Sequence, residues 1–430
     1  MTTVSADSQP APPAPAFAEG VSPDALVRAD QVLDRLVSPE GRDDPYPWYR
    51  RLREAAPFYR SGWDGLWYAS RYDDCKAVLV DPRCGRNPQD MLRRRHGMNM
   101  GVVERLRRRQ RRTMLTANPP EHTRLRSPVG RAFTPRRVGD LGVRIRERLD
   151  PILDEMAEAG EVDLMTVLAF PLPVAVIGDL VGVPPDEREQ FRTLVRASQA
   201  AAEPDATAET IAAAERAADY QEAYFADLVV RKRTEPGDDM LSMLVQQTDA
   251  GGPLDEEEMV ATARLLFGAG FVTTTNLIGN TVLTLLRHPD QMGRLWDDPG
   301  LAAGTVEEVL RYESIVQTNG RTVFEPIEVA GQALVPGDHV VTLIGGANRD
   351  PARFADPERF HIGRHDEVPL SFGWGVHHCL GAPLARLEAQ LVLTGLVERF
   401  AGIELAGPEP PWTRSFLRGV GNLPLRVTPR

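Results

Sequence analysis

The fold of this chain is decided by residues 372–381, Phe372-Gly373-Trp374-Gly375-Val376-His377-His378-Cys379-Leu380-Gly381, and by the apolar segment of residues 382–400 that follows. Glycine adopts positive φ angles and lets a flat ligand approach the backbone, so glycines around one cysteine predict a tight loop. Such a loop directs successive N–H groups at the sulfur, and the start of the next helix adds positive potential. Both effects favour a thiolate, the form of cysteine that binds metal. A lone buried cysteine is more often a small hydrophobe, but the glycine spacing and the helix start favour a metal ligand at Cys379.

This stretch resembles the cysteine signature of the cytochrome P450 family, and the resemblance extends from about Asp43 to Leu425. The signature positions in this chain are Phe372, Gly375, His377, Cys379 and Gly381. The resemblance implies a mainly α fold with small β-sheets, a triangular helical prism around a buried haem b. It makes Cys379 the axial ligand of the iron and places Phe372, Gly375 and Gly381 against the cofactor.

The two propionates of haem require cationic partners. The segment of residues 119–126 resembles the propionate-binding helix of the family, which implies His122 and Arg126 as partners, and Arg321 and His377 match the other usual contacts. Arginine suits this task because its planar guanidinium binds a carboxylate through two hydrogen bonds. Any one of these arginines alone could equally be an ordinary surface residue.

A long helix is predicted from Asp255 to His288, and small residues interrupt it at 268–270. Glycine within a helix costs about 1 kcal/mol relative to alanine, which makes sense where the helix passes closely over a flat ligand. Threonine can bend a helix by bonding to a preceding carbonyl. By resemblance, Ala269 contacts the haem, while Gly270, Thr273 and Thr274 form the oxygen-binding groove.

The position before Thr273 departs from the family pattern, because Val272 stands where an aspartate or glutamate is usual. Valine cannot relay protons, so three interpretations stay open. Protons arrive through water held by Thr273 and Thr274, or a carboxylate or hydroxyl of the substrate serves instead. In the third, the enzyme has left standard hydroxylation for nitration, coupling or desaturation. Peroxide-driven turnover and a non-oxygenating haem-binding or sensor protein are further alternatives.

Glu308 and Arg311 lie three positions apart on a predicted helix of residues 304–312, so their side chains share one face. A surface ion pair of this kind contributes at most about 1 kcal/mol. The resemblance implies instead a buried structural pair that Arg364 completes, since buried charges need additional hydrogen bonds to offset desolvation.

The substrate pocket implied by the resemblance is lined by Phe271, Val272, Ile315 and Val420, by the helices that flank residues 201–214, and by residues 86–115. The last segment carries two basic clusters, residues 93–95 and 105–112. They are read either as a solvated basic face or as a surface that recognises an acidic substrate or an acidic carrier domain.

The chain is too short for an additional flavin or nicotinamide domain, so electrons must come from a separate protein. By resemblance this is a small acidic ferredoxin, drawn to a basic face around the cysteine. The candidate residues of that face are Arg124, Arg131, Arg136, Arg137 and Arg386.

Composition bounds the remaining possibilities. The chain of 430 residues carries 50 basic and 61 acidic side chains, a balance that does not favour nucleic-acid binding. Its three cysteines form no disulfide framework, which is consistent with a protein of the reducing cytoplasm.

Residues 1–20 are predicted to be disordered, and residues 21–430 to form one domain. A hairpin is predicted over residues 414–427, and a mobile connection over residues 199–215. The expected activity is oxygen-dependent hydroxylation or epoxidation of a small molecule, tailoring a secondary metabolite.

Overall fold

The structure, a computed structural model, describes residues 23–87, 113–201, 206–412 and 417–430. The predicted disordered N-terminus, residues 1–20, lies outside the described residues, as do both basic clusters at 93–95 and 105–112.

Helices dominate the described part of the chain, as predicted. They are α1 (Pro23–Val37), α2 (Pro39–Asp43), α3 (Tyr46–Ala55), α4 (Tyr72–Val80), α5 (Glu121–Gly130), α6 (Pro135–Ala159), α7 (Pro171–Val181), α8 (Gln190–Ala200), α9 (Ala208–Thr234), α10 (Met240–Asp249), α11 (Glu256–Arg287), α12 (Pro289–Asp297), α13 (Ala302–Tyr312), α14 (Ile344–Ala347) and α15 (Ala382–Arg399). No helix in the described ranges is both long and apolar enough to cross a lipid bilayer.

The strands form small sheets at the periphery. They are β1 (Phe58–Arg60), β2 (Trp67–Ala69), β3 (Cys84–Gly85), β4 (Glu161–Asp163), β5 (Asn319–Val323), β6 (Ile327–Val329), β7 (Gln332–Leu334), β8 (His339–Thr342), β9 (Phe400–Leu405) and β10 (Pro424–Pro429). One sheet has the order β1-β2-β8-β5-β3, a second has the order β4-β10-β9, and β6 pairs with β7. The β2–β8 pair is parallel, with Trp67 opposite Val340, and the other pairs are antiparallel.

Helix α11 is the longest element and lies within the main core. It begins at a capping box, in which the Asp255 side chain accepts from the Glu258 N–H and the Glu258 side chain accepts from the Asp255 N–H. It ends at His288, whose N–H donates to the Leu285 carbonyl. The predicted helix from Asp255 to His288 is confirmed, with both named residues acting as its caps.

Helix α15 carries the cysteine loop into the core. Pro383 stands in its first turn, where a missing N–H costs nothing. The helix packs against α6, α11 and α13, and its buried Ala385, Ala389 and Leu393 join a cluster with Leu310 of α13. The loop before α15 is therefore anchored to α11 and α13, two helices that carry other predicted site residues.

Two predictions about connections can be compared with the described residues. Residues 414–416 of the predicted hairpin, 414–427, lie outside the described residues; beyond them Val420 forms an antiparallel bridge with Trp412, and β10 pairs with β9 and β4. Its alternate residues Leu425 and Val427 are buried on one face of that sheet, which explains the preference. The connection predicted over 199–215 is shorter than expected, since α9 already begins at Ala208, where the Thr207 side chain accepts from the Thr210 N–H.

Candidate functional site

The loop before Cys379 is pressed against helix α4. Gly373 and Gly375 have positive φ angles of 69° and 71°, as the glycine pattern predicts. A Cβ at Gly375 would lie 2.7 Å from the carbonyl oxygen of Leu79. Gly375 is therefore required for the close approach of loop and helix, whereas the sequence suggested contact with a cofactor. Gly381 differs, because a Cβ there would meet nothing within 4 Å.

Backbone donors surround the Cys379 sulfur. The Cys379 N–H donates to the Phe372 carbonyl over 2.9 Å, which closes the loop. The Cys379 side chain is exposed to solvent, but the protein around it still desolvates the sulfur and raises the pKa of its thiol, while N–H groups of Gly381 and Ala382 and the guanidinium of Arg126 each lower that pKa. The predicted stabilisation of a thiolate is thus present, but desolvation outweighs it. A metal cation bound at the sulfur would supply the missing stabilisation.

Two buried guanidinium groups nearby lack a counter-charge. Arg321 is 1% exposed and donates to the side chain of Asn319 and the carbonyl of Gly320, both over 3.0 Å. Desolvation lowers the pKa of Arg321 to about 9 and that of Arg86 to about 10. Among the described residues, neither guanidinium is paired with a carboxylate. Two such cations can be accommodated if a bound group supplies the anions.

Two histidines extend this set of donors. The rings of His122 and His377 meet edge to face with centroids 4.5 Å apart. The Nε2 atom of each ring is buried and has no hydrogen-bond partner within the described residues. Desolvation, reinforced by Arg321, lowers the pKa of His377 to about 3, so its ring is neutral and can donate one hydrogen bond.

Arg126 connects these donors to the cysteine loop, since it donates to the carbonyls of Val376 (3.3 Å) and His378 (2.7 Å). Next to Cys379 the chain therefore concentrates the donors that a ligand with two carboxylates requires. The residues present fit haem, whose propionates would neutralise the two arginines. The sequence named four of these partners but missed Arg86, which it treated only as the start of a loop.

The central part of helix α11 places its small residues on two different sides. Ala269 is exposed, and the Thr273 hydroxyl donates to its carbonyl over 3.2 Å. Thr274 is buried and donates to the Gly270 carbonyl over 3.0 Å. A Cβ at Gly270 would lie 2.5 Å from Cγ1 of Ile177 on α7. Gly270 therefore allows two helices to pack closely, whereas the sequence assigned its small size to the oxygen-binding groove.

A cavity of about 360 Å³ lies beside this part of α11. It is lined by Met165, Phe170, Arg192, Val195, Arg196, Phe271, Val272, Thr275, Asn276, Val420 and Gly421. Three of the four residues predicted to contact substrate are therefore on its wall.

Ile315, the fourth of those residues, does not line this cavity. It is 4% exposed and belongs to the same apolar cluster as Leu310, and its carbonyl accepts from the Arg418 N–H over 2.8 Å. The sequence also did not single out Met165 and Phe170, which a π-helical turn at Met165–Ala169 brings to the cavity. That turn has no recognisable sequence pattern.

The structure brings Glu308, Arg311 and Arg364 together as the resemblance implies. Glu308 accepts two hydrogen bonds of 2.8 Å from Arg311 and a bond of 3.1 Å from Nε of Arg364. Its Oε1 also accepts from the His361 N–H over 2.8 Å. The side chains of Arg311 and Glu308 are only 2% and 1% exposed. This network fixes the segment around residue 361 to helix α13.

The predicted basic face is smaller than expected. Arg124 is paired with Glu258 through bonds of 2.6 and 2.8 Å, and Arg386 is paired with Glu307. Their charges are therefore largely compensated, which the sequence could not show. Arg131, Arg136 and Arg137 are exposed, and no ion pair of theirs occurs within the described residues.

Glu388, on helix α15, is a buried acid that the sequence did not single out. It is 1% exposed, and its Oε2 has no hydrogen-bond partner among the described residues. Burial raises the pKa of Glu388 to about 8, so the side chain is protonated at neutral pH. Its position among the apolar residues of α15 gave no sign of function.

The raised pKa of Glu388 makes stability depend on pH. The folded chain keeps a proton that the unfolded chain releases above about pH 4.5, so this contribution to stability is lost as the pH rises through about 8. Between about pH 4.5 and pH 8, we expect the free energy of unfolding of Glu388→Gln to increase relative to that of the wild type. The increase should be up to about 1.4 kcal/mol per pH unit. Urea unfolding of both proteins at about pH 5 and pH 8 measures the difference.

Glu398→Gln is the matched control for that experiment, because Glu398 is an exposed acid on the same helix, paired with Arg146. Its difference from the wild type is expected to stay constant with pH. A constant difference for Glu388→Gln as well would show that Glu388 is ionised in the folded protein.

Comparison with known proteins agrees with this site. A family model described as Cytochrome P450 matches residues 301–425. Cytochrome P450 107B1 of Saccharopolyspora erythraea is 41% identical over 397 residues, which are 88% of this chain and 94% of that protein. Polyketide biosynthesis cytochrome P450 PksS of Bacillus subtilis is 36% identical over 406 residues, 91% of this chain and 99% of that protein.

Solved structures show the same architecture. The crystal structure of P450BioI in complex with hexadec-9Z-enoic acid ligated acyl carrier protein superposes with a TM-score of 0.83 and 34% identity. The match covers 90% of this chain and 100% of that chain.

Proposed function

This chain belongs to the cytochrome P450 family, monooxygenases that bind haem b through a cysteine thiolate, and we propose that it hydroxylates or epoxidises a small molecule in secondary metabolism. The observation that carries the proposal is the set of buried cations without carboxylate partners beside Cys379, described above. The polyketide role in the name of PksS supports the assignment to secondary metabolism.

In this proposal Cys379 would bind the haem iron through its sulfur, and Arg86, Arg126, Arg321, His122 and His377 would hold the propionates. Bound haem supplies oxygen activation, to which the electron-rich thiolate contributes. Gly381 and Ala382 stabilise the thiolate through their N–H groups. Phe372 supports the loop, since its carbonyl accepts from the Cys379 N–H.

Thr273 is the residue proposed to move protons. Its hydroxyl donates to the Ala269 carbonyl, so the lone pairs on Oγ1 remain available to accept from a water molecule. That water can pass a proton toward the oxygen-binding groove, in a position where Val272 offers no acid. Thr274 is buried and bonded to Gly270, so its proposed role is to hold the helix geometry.

We expect Thr273→Ala to uncouple oxygen activation from product formation. Positioned proton transfer contributes about 10²-fold or more to a rate, so product per NADPH should fall at least about tenfold while hydrogen peroxide accumulates. NADPH, product and peroxide are measured with a surrogate ferredoxin system and a substrate that shifts the haem spin state. Thr281→Ala is the control, because Thr281 makes the same kind of bond, to Leu277, in a later turn of α11. An unchanged product yield in Thr273→Ala would contradict the role of Thr273.

Val272 supports a second candidate function within the family, in which peroxide replaces dioxygen and electrons. Hydrogen peroxide alone should then drive turnover as fast as the electron donors do.

Nitration, coupling or desaturation would appear as products without an added hydroxyl. A non-oxygenating haem protein would consume no additional NADPH when candidate substrates are present. The retained Thr273 favours oxygen activation over this last alternative.

Enzymes of this family act on a substrate with electrons from a redox partner, and a ferredoxin is our proposal for that partner. Arg131, Arg136 and Arg137 remain as its steering surface. An acidic carrier domain remains a proposal as well, supported by the acyl carrier protein in the P450BioI complex.

We also propose that residues 21–430 form one domain. The Tyr46 hydroxyl donates to Glu313 over 2.7 Å, 267 residues away in sequence. Arg418, near the C-terminus, donates to the Asp43 carbonyl over 2.7 Å. These contacts, the first of them buried and the second partly buried, link the first and last parts of the described chain.

A further inference from the structure

Arg86 and Arg321 bring two like charges to one end of a strand ladder. The last pair of β3 and β5 at this end is Gly85 opposite Thr322, and the two arginines are the next residues on the two strands. Both NH1 atoms donate to the same carbonyl, that of Gly320, over 3.4 Å from Arg86 and 3.0 Å from Arg321. Like charges that face each other across neighbouring strands are destabilising. This arginine pair therefore favours a bound anion.

The arginine pair also has spare donors. Nε of Arg86 is buried and has no hydrogen-bond partner within the described residues. Desolvation lowers the pKa of Arg321, and the positive charge of Arg86 lowers it further. A carboxylate bound by both groups would relieve this repulsion and accept the free N–H groups, because a guanidinium donates to a carboxylate through two parallel hydrogen bonds.

Asn118 fixes the backbone of Arg86 through two hydrogen bonds. Its Oδ1 accepts from the Arg86 N–H over 2.7 Å, and its Nδ2 donates to the Arg86 carbonyl over 2.9 Å. Gly85 leaves room for this contact, since a Cβ there would lie 2.4 Å from Oδ1 of Asn118. The Asn118 carbonyl accepts from the His122 N–H over 2.9 Å. Asn118 therefore links Arg86 to the start of α5, the helix that carries His122 and Arg126.

We propose that Asn118 is a positioning residue that holds Arg86 beside Arg321, and that the arginine pair binds one carboxylate of haem and raises its reduction potential. This inference rests on the proposed function and deepens it, because the reduction potential decides how readily the enzyme accepts an electron from its redox partner. Reduction of the ferric protein adds one electron, and a nearby cation stabilises the added negative charge. Charges that are partly buried are screened little by salt. Hydrogen bonds and burial around haem are among the means by which a protein sets this potential.

The test measures two properties of the haem-loaded, full-length protein that do not depend on turnover. One is the rate of haem transfer to excess apomyoglobin, and the other is the reduction potential from a spectroelectrochemical titration. In Arg86→Gln we expect haem transfer to be about tenfold faster, because charge-assisted hydrogen bonds are lost. The equilibrium constant for one-electron reduction should fall about threefold to tenfold, a decrease in potential of about 30–60 mV. Arg86→Lys keeps the charge and should recover about half or more of this decrease.

Asn118→Ala tests the positioning role. It should lower the potential and accelerate haem transfer less than Arg86→Gln does, because the guanidinium is still present but no longer fixed. Added to Arg86→Gln, it should have no further effect on the potential, since it acts through Arg86. An unchanged potential in Asn118→Ala, or a full additional decrease in the double variant, would contradict this role.

Arg83→Gln is the matched control, because Arg83 lies three residues before Arg86, is 44% exposed and pairs with Asp81. It should leave the potential and the rate of haem transfer unchanged. Equal potentials and equal transfer rates in Arg86→Gln and the wild type would overturn the inference. The carbon monoxide spectrum is recorded on the same samples. Absence of the red-shifted band in the wild type would instead contradict the proposed function itself.

Discussion

Replacing Cys379 with serine is expected to abolish the red-shifted Soret band of the carbon monoxide complex and to reduce oxygenation to the background rate. Serine is close to cysteine in size, but its hydroxyl stays protonated at neutral pH and supplies no anionic sulfur. The N–H groups of Gly381 and Ala382 would still point at the side chain, but no thiolate would be present to push electron density onto iron. The spectrum of the dithionite-reduced protein measures the first effect, and product formation measures the second.

Cys75→Ser is the matched control, because Cys75 is buried and donates to the Ala69 carbonyl over 3.2 Å, a bond that serine can keep. This variant should retain the band and the activity. Loss of the band in both variants would point to general unfolding. A band at the red-shifted position in Cys379→Ser would refute the assignment of Cys379 as the ligand.

The sequence alone predicted those features for which a short local pattern determines both the secondary-structure element and the chemistry of its side chains. The glycines around Cys379, the capping residues Asp255 and His288, and the spacing of Glu308 and Arg311 all act within a few residues of the chain. Their geometry follows from turn, cap and helix rules. For the same reason, the loop, the long helix and the shared helix face of Glu308 and Arg311 were predictable without a structure, whereas the burial of that pair was implied only by the resemblance.

The sequence was insufficient where a role depends on a distant segment. Gly375 and Gly270 look like ligand contacts, but their missing Cβ atoms make room for Leu79 and Ile177. Arg124 looks like a free surface charge, but Glu258 lies beside it, 134 residues later. Arg86, Arg192 and Glu388 have no local signature, because burial and cavity position arise only after tertiary packing.

Substitution of Glu308 by glutamine is expected to have the largest effect on stability. Glu308 is the sole carboxylate within bonding distance of Arg311 among the described residues, and it also binds Arg364. Removing its charge leaves a buried guanidinium partly uncompensated, at a cost of about 3–5 kcal/mol. The carbonyls of Asn348, Pro357 and Arg359 that also accept from Arg311 cannot supply a counter-charge.

Glu307→Gln is a stringent control because it changes the adjacent residue of the same helix. Glu307 is 37% exposed and pairs with the partly exposed Arg386, so its loss should cost less than about 1 kcal/mol. Urea unfolding monitored by the Soret band and by far-ultraviolet circular dichroism compares the variants. Equal midpoints for the two single variants would show that the buried network does not determine stability.

The double variant Glu308→Gln with Arg311→Met distinguishes two free energies. One is the destabilisation caused by leaving a single buried charge unpaired, and the other is the net contribution of the ion pair to stability. If each single change mainly strands the remaining partner in a buried site, the second change should restore part of the stability lost through the first. The coupling between the two sites is then about 0.5–3 kcal/mol. Arg364 stays beside the glutamine in this variant, so recovery is expected to be incomplete. Strictly additive losses would mean that Glu308 and Arg311 stabilise the core behind the cysteine loop independently.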